Sequence, residues 1–106
     1  MDNFKIIYRI LRILEQSLDL DEFNRSLISA DTLEISENRW KAIMEMLLDE
    51  GYIKGAVVLR SIGGSGIKIG PDISITLKGL EYLNDNSFMK KAANIAKGIK
   101  DTIPGL

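Results

Sequence analysis

Asn38, Arg39 and Lys41 stand near the head of a helix-forming run, Glu37 to Glu50, and their side chains suit adenine, guanine and phosphate respectively. Ser36 immediately precedes the run, and Arg60 and Lys68 follow in a segment of strand character. These six residues are the candidate contacts to double-stranded DNA, because a recognition helix brings its N-terminal residues to base edges in the major groove. The charge around them argues the other way. From Glu37 to Glu50 two basic groups face four acidic ones. Salt-dependent affinity of useful size needs about six phosphate contacts or more, which a symmetric pair supplies more readily than one copy.

Other chemistry is thinly represented. The chain has no Cys and no His, which removes thiolate nucleophiles, disulfides, zinc-thiolate sites and the commonest general base. Asp19, Asp21, Glu22 and Asn24 invite a calcium-loop reading, but Phe23 sits where a ligand belongs and Ala30 where the bidentate Glu should be. Gly63, Gly64 and Gly66 raise the question of a phosphate cradle. Ile67 and Lys68 follow instead of Lys and Ser or Thr, and no helix begins at once to lend its N-terminus. The expectation is a non-enzyme with no cofactor, no metal and no small-molecule substrate.

The elements that position these residues are legible from spacing. Ser36 caps the central helix, Trp40, Ile43, Met44, Leu47 and Leu48 form its buried stripe, and Gly51 lets the chain leave it with positive φ. Tyr52 to Arg60 and Ile67 to Ile75 read as two strands of a hairpin, with a flexible loop from Ser61 to Gly66. Pro71 has no ladder donor, so Gly70, Pro71 and Asp72 mark a bulge, a bend or the end of regular pairing. Thr76 caps a short helix with Leu77, Leu80 and Leu83 inward, and Gly79 within it suits a close backbone approach. Asp21 is expected to cap another short helix through Phe23 and Leu27.

The first helix, about Asn3 to Ser17, is apolar over most of its circumference. Phe4, Ile7, Tyr8, Leu11, Leu14 and Leu18 form one face, and Ile6, Ile10 and Ile13 a second. A helix of this kind needs cover on two sides, so Ile6, Ile10 and Ile13 are expected to meet the C-terminal helix or a second copy. From Ser87 onward Phe88, Ala92, Ile95, Ala96, Ile99 and Ile103 line one side of a final amphipathic helix. The candidate interface is therefore Ile6, Ile10, Ile13, Phe88, Ile95 and Ile99. Charge is uneven: −3 over residues 1–35, −1 over 36–86 and +3 over 87–106. No apolar run approaches the about 20 residues that cross a bilayer, and Lys5, Arg9 and Arg12 interrupt the first helix where a signal peptide would be apolar. The expected location is cytoplasmic, with no membrane partner.

Four pieces together carry a family resemblance: Leu33 to Trp40, Asp49 to Gly55, Ile75 to Leu83 and Asn86 to Ala92. In this order the chain resembles the YjcQ-like family of small phage and prophage proteins. The resemblance implies a winged-helix fold and a Gram-positive bacterial or phage source, and it brings no catalytic residue with it. The glycine-rich segment then reads as an elaborated wing tip.

The expected fold class is α+β: a winged helix-turn-helix, three helices plus a hairpin wing, with additional C-terminal helices. Residues 1–85 form the winged-helix domain and 86–106 an amphipathic helix packed on it or on a partner. The expected role is a protein-interaction or dimerisation module with a protein partner or a second copy. The alternative is a DNA-binding regulator using the N-terminal half of helix 36–50 and the 60–68 wing.

Overall fold

A computed structural model describes residues 2–86. The first helix, α1 (Asn3–Gln16), starts where the Asp2 carboxylate accepts the Phe4 N–H at 2.9 Å, supplying one of the orphan N-terminal donors with a partner. It ends where the Ser17 hydroxyl donates to the Leu14 carbonyl at 2.6 Å, and a short 3-10 turn follows over Ser17–Asp19. The buried stripe of α1 is Ile6, Ile10, Leu11 and Leu14, while Phe4 and Leu18 are exposed. The two expected faces are thus redrawn: the core arc lies between them, because the hairpin and the helices cover α1 across the Ile6–Ile10 side as well.

The next turn is capped by Asn24, not Asp21. The Asn24 side-chain oxygen accepts from the Ser26 N–H and hydroxyl at 3.1 and 2.7 Å and starts a 3-10 turn over Arg25–Ile28. Ser29 then caps α2 (Ala30–Leu33), which ends at Glu34 in the left-handed region with φ 59°. Tertiary packing accompanies this break: Ile28 and Leu33, on either side of it, are both buried, while Leu27 is exposed.

In α3 (Glu37–Asp49) the Ser36 hydroxyl accepts the Arg39 N–H at 3.1 Å, and Trp40, Ile43, Met44 and Leu47 are buried. The indole N–H of Trp40 donates to the Ile28 carbonyl at 2.7 Å, tying α3 to the turn before α2. Gly51, at φ +76°, ends the helix and directs the chain into β1 (Ile53–Ser61).

The hairpin of β1 and β2 (Gly64–Ile75) is antiparallel and extends further than the expected strands. Ser61 pairs with Gly64 and Leu59 with Gly66, so only Ile62 and Gly63 form the turn and most of the expected loop is strand. Closing the ladder gives the glycine backbone groups partners, and that outweighs the low strand preference of glycine. Lys54 pairs with Ser74 but Ala56 with Ile69, so the ladder breaks into the bulge expected around Pro71. Gly55, at φ +91°, faces this bulge.

Helix α4 (Leu77–Asp85) follows, with the Thr76 hydroxyl accepting the Gly79 N–H at 3.1 Å and donating to the Gly51 carbonyl at 2.5 Å. Gly79 is buried, and a β-carbon there would collide with the Tyr52 carbonyl and the Ile75 side chain. Tyr52 meets Tyr82 with ring centroids 5.2 Å apart, and the Lys78 ammonium sits 5.5 Å from the Tyr52 ring centre. Leu83 is buried and Leu80 half-buried, but Leu77, expected inward, is exposed because the cap places the first helical residue outside the contact with Tyr52. The described residues form an α+β arrangement of four α-helices and one two-stranded hairpin, compatible with a winged helix.

Candidate interaction surface and the predicted DNA contacts

The six predicted DNA contacts do not form one strip. Ser36, Asn38 and Arg39 are exposed at the start of α3, and Lys41 is half-buried. The Ser36 hydroxyl oxygen is engaged in the cap, and the Arg39 guanidinium donates to the Asn3 carboxamide oxygen at 2.8 Å, at the start of α1. Arg60 reaches back from β1 to α3 and pairs with Glu45 at 2.6 Å. Lys68 lies across the ladder from Val57, one residue out of phase with Ile67 and Ile69.

Strand alternation turns that phase difference into a difference of face. Ala56, Ile67 and Ile69 pack against the core, so Val58 and Arg60 share the inner face with them. Val57, Leu59 and Lys68 consequently occupy the outer face, pointing away from the Arg60–Glu45 pair. The hairpin therefore separates Arg60 from Lys68. In the first helix Arg12 pairs with Glu15, while Lys5 and Arg9 are exposed and the Arg9 guanidinium donates to the Thr32 carbonyl at 3.5 Å.

The predicted protein interface also divides. Ile6 and Ile10, expected to meet the C-terminal helix or a second copy, belong to the core and are buried within a single chain. Ile13 is half-buried against the same core. Phe88, Ile95 and Ile99, with the expected helix after Asn86, lie outside the described residues.

What spacing did not reveal is an apolar outer face on the hairpin. Val57 and Leu59 are 54% and 52% exposed, and Ile62 at the turn is fully exposed. Both faces of β1 are apolar in sequence, so alternation gave no sign of which one the core would take. A second connection was equally hidden: the Arg25 guanidinium donates to the Ile69 carbonyl at 2.9 Å, fastening the segment before α2 to β2.

Burial pushes the Tyr8 and Tyr82 phenols above their ordinary range, so both hydroxyls stay protonated near neutral pH. Among the described residues no group of three or more acidic, His or Cys side chains is placed to hold a metal ion, and no helix is long and apolar enough to cross a membrane.

A family model described as YjcQ protein matches residues 8–102. The chain belongs to that family. The match spans every helix and both strands described above apart from the first residues of α1. No curated protein and no solved structure matches the chain.

The Arg60–Glu45 pair is a surface ion pair in this family member, and its energetic share is small. Glu45→Gln is expected to change the unfolding free energy by less than about 1 kcal/mol, because the Arg60 side chain is largely exposed and solvent screens the pair. Urea unfolding of the two proteins measures this directly. A larger loss would mean that the pair holds the hairpin against α3.

Proposed function

We propose that this member of the family is a non-catalytic protein-interaction module, built on a winged-helix scaffold whose wing is the β1–β2 hairpin. The observation that carries this reading is the division of the hairpin: its inner face packs on the core, while Val57, Leu59 and Ile62 stand exposed on the outer face and at the turn. Exposed apolar groups gathered on one rigid element are the usual mark of a contact surface. The electrostatics favour the same reading over a regulator that reads DNA, since Arg60 is paired and Lys68 faces elsewhere.

Two measurements test the choice. A photo-crosslinking amino acid placed at Leu59 is expected to give a protein adduct of discrete mass in cells, lost when Val57→Glu is added. The same group at Glu81, exposed on α4, gives none. Gel retardation with mixed-sequence duplex DNA at low salt is expected to be weak and unchanged by Arg39→Ala with Lys41→Ala. Salt-dependent duplex binding that falls in this double variant, with no adduct at Leu59, would replace the interaction reading with the DNA reading.

A further inference from the structure

We propose that the partner of the hairpin's outer face is a second copy of this chain, with the Leu18–Glu22 segment of each protomer lying on the hairpin of the other. The proposal rests on the interaction reading above and names its partner.

Two exposed patches of opposite charge carry it. In the first, Leu18 and Leu20 are 55% and 58% exposed and alternate with Asp19 and Asp21, with Glu22 following. No basic residue occurs from Ile13 to Asn24. In the second, Val57 and Leu59 are exposed beside Lys68, and Lys54 is exposed nearer the base of the hairpin. No acidic residue occurs from Ile53 to Gly70. Among the described residues Asp19, Asp21, Glu22, Lys54 and Lys68 form no ion pair, whereas Arg12, Glu15, Glu45 and Arg60 do. The exposed Asp72 stands against Gly55, next to Lys54, so the positive charge of the second patch is that of Lys68 on the outer half of the hairpin; the first patch joins apolar groups to negative charge, and the second joins Val57 and Leu59 to positive charge.

Arg25 holds the Ile69 carbonyl at the edge of β2, and Glu22 is three residues before Arg25, within about 11 Å of it by chain reach. The segment that carries the acidic patch is therefore joined to the hairpin of its own chain through Arg25. Lys68 projects from the outer face, and among the described residues it forms no ion pair with Asp19, Asp21 or Glu22 of its own chain. Two patches of opposite sign on one chain can each meet the other's counterpart in a second copy, which is the reciprocity of an isologous dimer.

Charge exchange provides the test. Sedimentation equilibrium of the full chain, from micromolar to millimolar concentration, is expected to show a monomer–dimer equilibrium. Lys68→Glu and Asp21→Lys, both at exposed positions, should each weaken the dimer at least about tenfold, since like charges then face each other at both contacts. An equimolar mixture of the two variants restores opposite charges at both contacts of a mixed dimer. Its dissociation constant should return to within about threefold of the original. Circular dichroism melts of each variant confirm that the fold is kept.

A chain monomeric throughout, variants that dimerise like the parent, or a mixture that fails to pair would each overturn the second copy as partner. The Leu59 adduct tells that failure from a failure of the interaction reading. If it contains a different protein, docking on the hairpin stands and only self-association falls; if it is absent as well, both fall.

Discussion

Trp40→Ala should lower the unfolding free energy by about 4 kcal/mol, a large share of the roughly 5–15 kcal/mol that holds a domain of this size together. Two losses add. The indole is buried in a core that also contains Ile28, Leu33, Ile43 and Met44, and its removal leaves a cavity the neighbours only partly fill. The Ile28 carbonyl also loses its 2.7 Å donor. Trp40→Phe separates these contributions: it keeps most of the packing and removes the donor, so a loss of about 1–2 kcal/mol is expected. Urea midpoints of the three proteins give the comparison. A Trp40→Ala loss below about 1 kcal/mol would show that α3 is not held by this side chain, and the link from α3 to the turn at Ile28 would lose its significance.

Gly55→Ala should cost about 3 kcal/mol or more, because two independent obstacles meet at that residue. Its φ of +91° is foreign to a residue with a side chain, and an added β-carbon would lie 2.6 Å from both the Asp72 carbonyl oxygen and the Ile73 Cα. Both neighbours are backbone, so no side chain can swing away. Gly51→Ala is the matched control. Its φ of +76° is also left-handed, but nothing lies within 4 Å of the added atom, so only the conformational cost of about 1–2 kcal/mol remains. Equal losses at the two glycines would mean that the bulge yields easily. The consequence reaches the outer face of the hairpin, since the bulge between Lys54 and Ala56 sets how the outer half of the hairpin leaves the body. Under the proposed pairing of two copies, a shifted bulge is expected to weaken the dimer as well as the fold.

Much of the architecture was legible because local rules and the global fold agree. Ser36, Gly51 and Thr76 act where their side chains, or the lack of one, satisfy a local backbone need, and no distant residue has to be known to foresee that. The stripe from Trp40 to Leu47 was readable for the same reason: a helix with a polar side leaves one choice of buried side. Pro71 announced the bulge through its missing donor.

The readings that changed involve segments with more than one apolar side or more than one capping residue. In α1 apolar residues nearly encircle the helix, so Ile6 and Ile10 read as a second face in sequence, whereas α1 packs on both β2 and α4 and the two side chains are buried in the core. Asn24 and Ser29 displaced Asp21 as caps, and Ile28 and Leu33 both reach the core. The glycines after Ser61 carried no side-chain pattern to say whether they pair, and the ladder took them.

The amino-acid order alone determined where α3 begins and ends and where α4 begins, that Trp40 is buried, and that a hairpin follows Gly51, since each of these is settled by groups a few residues apart. The tertiary structure decided the rest of the surface: that Arg60 turns inward to Glu45, that Lys68 and Val57 turn outward, and that Arg25 reaches β2. A strand apolar on both faces offers the core two nearly equivalent sides, and only the elements packed against it select which one is covered.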